Sequence, residues 1–118
     1  MPWTVIFHQA FEAEFAELPL GVKEALAATA SLLGSQGPML GRPHADTLAG
    51  SAHANMKELR FNADDGVWRV AFAFDPARKG IILIAGDKAG VAQKRFYKTL
   101  IAKADARFAE HLEKLRGN

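Results

Sequence analysis

The chain of 118 residues contains no cysteine, which excludes disulfide bonds, thiolate catalysis and cysteine-ligated zinc. Its four histidines, at positions 8, 44, 53 and 111, show no H-x-x-H or H-E-x-x-H spacing, so no metal or other cofactor is expected. His44 and His53 remain candidates for proton transfer, or are simply polar loop residues. Long apolar runs are also missing, since no stretch approaches the ~18 residues of a membrane span. The first residues lack the features of a signal peptide, so the sequence predicts a cytoplasmic protein without a membrane partner.

The charge is unevenly divided along the chain, although the net charge is only +2. Residues 1–56 carry two basic and five acidic side chains, whereas residues 57–118 carry thirteen basic and eight acidic ones. Such a basic half is typical of a protein that binds a polyanion, and the acidic half offers a surface for another partner. The alternative is that the lysines only keep a C-terminal helix in solution.

Hydrophobic spacing predicts one α+β domain over residues 1–118. The predicted elements are a strand at 3–7, a helical hairpin at 9–18 and 20–33 closed by Gly34, a loop at 34–46, strands at 56–62, 67–74 and 81–85, and a helix at 92–115. The order β-α-α-β-β-β-α favours an antiparallel-rich sheet with an N-terminal helical hairpin and a C-terminal helix. The core face of the last helix is predicted at Ile101, Ala104, Phe108, Leu112 and Leu115.

Strand alternation places two arginines opposite each other in the predicted sheet. If the second and third strands form a hairpin, Arg60 pairs with Arg69, and Glu58 shares a face with Arg60. Opposed like charges cost up to ~1 kcal/mol, so we expect an anion between them, and paired guanidinium groups suit a phosphate. This interpretation leaves both groups unshielded beside a floor of small alanines. The alternative is that Glu58 neutralises Arg69 and the rest is a solvated face.

A second basic set follows the last predicted strand. Lys88 lies in a glycine-flanked loop, and Lys94, Tyr97 and Lys98 share one face of the last helix. An aromatic ring framed by cations suits single-stranded nucleic acid, because base stacking contributes ~1–3 kcal/mol per base. The alternative is the ordinary solvent face of an amphipathic helix.

Five short segments, in this order, resemble HigB-like toxins of the RelE/ParE superfamily, in its phage-derived killer-protein branch. They read NMKELRF from Asn55, WRVAF from Trp68, FDP from Phe74, GDK from Gly86 and FY from Phe96. The resemblance implies a RelE-like fold and the toxin of a type II toxin–antitoxin system. Such a toxin cleaves mRNA, usually on the translating ribosome, and a helix-turn-helix antitoxin holds it inactive.

The resemblance also implies a basic RNA site made by Arg60, Arg69 and Lys88, with Glu58 as an orienting partner. In a metal-independent mechanism, the ribose 2′-hydroxyl attacks its own phosphate and the arginines stabilise the developing charge. We expect Lys88 or Lys98 to carry the proton, since crowded cations lower the pKa of a lysine. The predicted RNA-binding residues around this centre are Lys57, Glu58, Lys94 and Tyr97.

Two other functional classes stay open at this point. One is a ParE-like toxin that inhibits gyrase and cuts no RNA, and the other is a non-catalytic or degenerate nucleic-acid-binding module. The arrangement of the two arginines distinguishes a ribonuclease from these two classes. Guanidinium groups that point to opposite sides, or that carboxylates hold in a dry interior, would argue against a ribonuclease.

Overall fold

The structure is a computed structural model that describes residues 2–117. The elements are β1 (Val5–Phe7), α1 (Gln9–Ala16), α2 (Leu20–Gln36), a 3₁₀ turn (Gly37–Met39), β2 (Ala45–Thr47), β3 (Lys57–Ala63), β4 (Gly66–Phe74), β5 (Gly80–Asp87) and α3 (Gln93–Leu115). The sheet order is β1-β5-β4-β3-β2, with β1 parallel to β5 and all other neighbours antiparallel. This confirms the predicted α+β class. Over the part of the chain that is described, no helix is long and apolar enough to cross a bilayer.

Two features of the N-terminal half differ from the prediction. Helix α2 continues through Gly34 and ends at Gly37, whose φ of 59° lies in the left-handed region that favours glycine. The predicted loop at 34–46 contains the start of β2, which pairs with the first residues of β3. Three residues are too few to show a strand periodicity, so only the pairing with β3 reveals this element.

The hairpin of β3 and β4 has the predicted register. Arg60 pairs with Arg69, and Asn62 pairs with Val67. The turn is formed by Asp64 and Asp65, whose φ angles of 49° and 62° match the two left-handed residues of a type I′ turn. Since paired residues of antiparallel strands point to the same side, Arg60 and Arg69 share one face of the sheet.

Helices cover both faces of the sheet, which corrects the prediction of an open alanine floor. On one face, α1 and α2 pack against residues such as Leu59, Val70 and Phe72. On the other face, Ala71 and Ala73 are fully buried under α3. The small alanine side chains therefore provide room for a helix, and the two arginines lie on this helix-covered face.

The bounds of α3 agree with the prediction, but its buried stripe also includes Leu100, which was not predicted. The buried residues are Phe96, Leu100, Ala104 and Phe108. Ile101 and Leu112 are half-buried against the same core, and Leu115, a predicted core residue, is exposed. The last turn of the helix therefore contributes little to the core.

Polar contacts bind the C-terminal half of α3 to distant parts of the chain. Its partners are Arg107 with Glu14 and with the Leu83 carbonyl, Asp105 with Ser51, Glu110 with His8, and His111 with Asp75. The side chain of Asp75 is completely buried, and its Oδ2 lies 2.7 Å from His111 Nε2. Burial opposes ionisation of Asp75, but hydrogen bonds to His111 and the Lys79 backbone outweigh it and hold its pKa below the ordinary value of 3.8.

We expect Asp75→Asn to lower the free energy of unfolding by ~1–3 kcal/mol at neutral pH, because charge-assisted hydrogen bonds are lost. The pKa of Asp75 is depressed in the folded state. Its stabilising effect is therefore complete above the unfolded pKa and disappears as the pH falls through the folded one. Urea unfolding at neutral and acidic pH measures both effects. Asp46→Asn, at a half-buried carboxylate, serves as a control, and equal losses in the two variants would contradict the assignment.

Candidate nucleic-acid interface

A buried carboxylate, Glu58, lies between the two arginines. Glu58 is 3% exposed, and its Oε2 accepts a hydrogen bond from Arg60 Nη1 at 2.8 Å. Its Oε1 accepts a hydrogen bond from the Tyr97 hydroxyl at 2.9 Å and lies 4.0 Å from Arg69 Nε. We call these four residues the Glu58 cluster.

The Glu58 cluster corrects the prediction that the guanidinium groups are unshielded. The alternative, in which Glu58 offsets positive charge, describes the geometry better, although α3 covers the face that this alternative left to solvent. The cluster is nevertheless open on one side. The Arg60 side chain is 22% exposed, and Arg60 and Arg69 both line a groove at the surface. The arginines therefore point to the same side, and Arg60 is partly accessible from solvent through this groove, whereas Arg69 is almost completely buried.

Arg69 is the most constrained member of the cluster. Its side chain is 8% exposed, and its Nη1 donates a hydrogen bond to the Trp68 carbonyl at 2.9 Å. Its Nε is the single buried side-chain nitrogen or oxygen in residues 2–117 that has no hydrogen-bond partner. An unpaired buried donor costs ~1–3 kcal/mol. Such a group calls for an explanation.

A close approach of α3 to the sheet brings Tyr97 to the cluster. Gly86 pairs with Arg69, and a Cβ at Gly86 would lie 2.9 Å from the ring of Phe96. Glycine therefore allows the first turn of α3 to lie directly on β5. Burial raises the pKa of Tyr97, and its hydrogen bond to Glu58 raises it further. The hydroxyl consequently remains a donor at neutral pH.

Lys88 joins the cluster from the end of β5. Its Nζ lies 5.7 Å from the centre of the Tyr97 ring, and its backbone N–H donates a hydrogen bond to the Val67 carbonyl at 2.8 Å. Partial burial lowers the pKa of Lys88, and the positive charges of Arg69 and Arg60 lower it further. The structure thus brings together Arg60, Arg69, Lys88, Glu58 and Tyr97.

The other predicted lysines lie outside this centre. Lys94 and Lys98 are exposed and, with Tyr97, line a groove on the outer side of α3. Lys57 belongs to the opposite face of β3, where its Nζ donates a hydrogen bond to the Pro38 carbonyl at 3.2 Å. The structure therefore does not bring Lys57 near the arginines.

Sequence reasoning missed the part of the surface that β2 contributes. Arg42, His44 and Asn62 line the same groove as the two arginines. In the sequence, only the residue type and loop position of His44 indicated a functional role. Its place in this groove depends on β2, which was not predicted. His53 instead packs edge-on against Phe108, with 5.0 Å between the ring centres. Within residues 2–117, no group of three or more His, Asp and Glu side chains is arranged to hold a metal ion.

Comparison with known protein families gives a match over most of the chain. The profile of the family described as phage-derived protein Gp49-like matches residues 13–109. The chain belongs to this family. Two relatives of this Gp49-like protein are the candidate toxins HigB2 and HigB3 of Mycobacterium tuberculosis. HigB2 is 48% identical over 90 residues, which are 75% of this chain and 44% of HigB2. HigB3 is 51% identical over 76 residues, which are 64% of each chain.

The aligned regions are less than two thirds of the length of either relative. Among solved structures, the Gp49-like chain resembles a double mutant of the Escherichia coli toxin RelE in the free state, with a TM-score of 0.61 and 13% identity. That similarity covers 87% of this chain and 97% of RelE. It confirms the predicted RelE-like fold, and the family match confirms the resemblance to HigB-like proteins.

Proposed function

We propose that this Gp49-like protein is the toxin of a type II toxin–antitoxin system and that it cleaves mRNA on the ribosome, which inhibits translation. The observation that supports cleavage most directly is the buried, unpartnered Nε of Arg69 beside a groove that Arg60 also lines. The relatives named as candidate toxins support the assignment to a toxin–antitoxin system. The proposed site of action is the cytoplasm, and the proposed partner is a helix-turn-helix antitoxin.

In the proposed reaction, the ribose 2′-hydroxyl attacks the adjacent phosphorus and the bond to the 5′-oxygen breaks. The products are a 2′,3′-cyclic phosphate and a free 5′-hydroxyl, and the departing 5′-oxygen takes its proton from solvent. Arg60 has five N–H donors and uses one of them for Glu58, so other donors can bind the non-bridging oxygens from the groove. Glu58 holds the arginines in place before the substrate arrives, which lowers the cost of ordering them.

The proposed proton acceptor is Lys88, because partial burial and then the charges of Arg69 and Arg60 lower its pKa and favour its neutral form. Lys98, the alternative carrier, is exposed on the outer groove with Lys94 and Tyr97. A nucleotide whose base stacks on the Tyr97 ring would bring its phosphate backbone next to Lys94 and Lys98. The proposal therefore assigns proton transfer to Lys88 and nucleotide positioning to the outer groove.

We expect Lys88→Met to lower the single-turnover rate of mRNA cleavage by ~10²–10⁴-fold, the usual contribution of general acid–base catalysis. The wild-type rate rises with pH, since a proton acceptor must be neutral and its neutral fraction grows as the pH passes the lowered pKa. The variant has no such rise, and Lys88→Arg stays inactive at every pH. Lys98→Met is the matched test of the alternative carrier. A loss in Lys98→Met with a normal Lys88→Met would reverse the assignment.

Expression of the chain in bacterial cells tests the function itself. A ribonuclease toxin arrests growth and produces new mRNA ends that ribosome profiling maps, and co-expression of an adjacent helix-turn-helix protein relieves both effects. DNA breaks with intact mRNA would indicate a ParE-like gyrase inhibitor. Normal growth with salt-sensitive RNA binding would indicate a non-catalytic module.

A further inference from the structure

The sheet face that carries the two arginines continues onto β2. The Arg60 backbone N–H donates a hydrogen bond to the His44 carbonyl at 2.9 Å. The following pairs, Ala45 with Leu59 and Asp46 with Glu58, keep the same register. Because partners in antiparallel strands point to one side, His44, Arg60 and Arg69 form a row across three strands. Positive and polar groups thus extend beyond the Glu58 cluster to the edge of the sheet.

Arg42 borders this row and is held in position by Asp46. Its Nε and Nη2 both donate hydrogen bonds to Asp46 Oδ2, at 3.0 and 2.7 Å. The side chain of Arg42 is still 68% exposed, and two of its five N–H donors are engaged by Asp46. Arg42 is therefore a preorganised donor that faces solvent.

These side chains enclose one groove of about 480 Å³, lined by Arg42, Pro43, His44, Arg60, Phe61, Asn62 and Arg69. Three arginines contribute to it, and the two nearby carboxylates, Glu58 and Asp46, are already paired with Arg60 and Arg42. The unpartnered Nε belongs to Arg69, which lies at the inner end of the row. A groove of this composition suits an anion with several acceptor oxygens.

We propose that the outer part of this groove, formed by Arg42 and His44, is a second phosphate subsite for a single-stranded RNA backbone. It binds the phosphodiester next to the one that Arg60 and Arg69 hold, so the inference rests on the proposed function. Neighbouring strands lie ~4.7–4.9 Å apart. The β2 edge is therefore displaced from Arg69 by about two strand spacings, which favours a second phosphate over a single shared one.

The test compares non-cleavable 2′-O-methyl oligouridines, a dinucleotide with one internucleotide phosphate and a tetranucleotide with three. We expect Arg42→Gln to weaken tetranucleotide binding by roughly 3- to 10-fold and to reduce the slope of log Kd against log salt by ~0.7. Dinucleotide binding should stay unchanged. Arg116→Gln is the matched control, because Arg116 is 63% exposed and pairs with Glu113 one helical turn away, and we expect it to have no effect on either ligand.

Two results would overturn the subsite while leaving the proposed function intact. The first is equal tetranucleotide binding in Arg42→Gln and Arg116→Gln, with binding lost in Arg69→Ala. The second is an equal loss for dinucleotide and tetranucleotide in Arg42→Gln, which would place Arg42 on the same phosphate as Arg69. Failure of the proposed function looks different, because the wild-type chain would then leave mRNA intact when it is expressed in cells.

Discussion

Replacement of Arg69 with alanine is expected to lower the single-turnover rate of mRNA cleavage on programmed ribosomes by ~10²–10³-fold. This is the usual effect of removing one preorganised hydrogen-bond donor that stabilises charge in the transition state. Arg69 lines the groove, and its Nη1 is held by the Trp68 carbonyl, while its buried Nε has no hydrogen-bond partner. Its donors therefore need no reorganisation when charge develops on the phosphate. Arg69→Lys should recover little activity, because an ammonium group cannot reproduce the planar bidentate geometry.

Thermal unfolding of the same variants separates catalysis from folding. Arg95, exposed in the first turn of α3, provides a control with the same loss of charge, and Arg95→Ala should cleave at the wild-type rate. Undiminished cleavage by a folded Arg69→Ala would remove Arg69 from the mechanism and leave its burial without a catalytic explanation.

Glu58→Ala is expected to destabilise the fold by ~3–5 kcal/mol, the typical cost of removing one partner of a buried ion pair. The change leaves the Arg60 and Arg69 guanidinium groups facing each other without a counter-charge. It also removes the acceptor of the buried Tyr97 hydroxyl. Chemical unfolding of wild type and variant measures the difference, and Asp46→Ala is the control for loss of an accessible carboxylate on the same face.

Inorganic phosphate should partly restore Glu58→Ala. A ligand that binds only the folded state stabilises it by RT ln(1 + [L]/Kd), and the space left by the carboxylate lies between two cations that favour an oxyanion. We therefore expect phosphate to raise the Tm of Glu58→Ala more than that of wild type or Asp46→Ala. Equal shifts in all three proteins would show that removal of Glu58 creates no additional phosphate site between the arginines.

The hairpin could be predicted from the sequence because its determinants are local. Alternation fixes which side chains share a face, and the turn fixes the register, so Arg60 and Arg69 were correctly paired. The central position of Glu58 in the cluster was harder to predict from the sequence. Its hydrogen bond to Tyr97 spans 39 positions of sequence, and no local pattern encodes such a contact. Glu58 therefore entered the prediction only as an orienting or neutralising partner.

The parts that sequence reasoning placed wrongly depend on tertiary packing. Ala71 and Ala73 are small because α3 lies on them, but the same alternation is equally consistent with an open floor. Strand β2 exists only through its pairing with β3, so Arg42 had no predicted neighbour. Lys57 is different, because strand alternation alone puts it on the face opposite Glu58 and Arg60, and its part in RNA binding stays a prediction.

The buried carboxylate of Glu58 also affects which anions the protein binds from solution. Because Glu58 already offsets one of the positive charges of Arg60, Arg69 and Lys88, a monovalent anion such as chloride or acetate gains less by entering. A polyanion gains more, since it engages several donors at once and releases condensed cations as it does so. The resting protein can therefore remain unoccupied amid abundant small anions and still respond to a nucleic-acid strand.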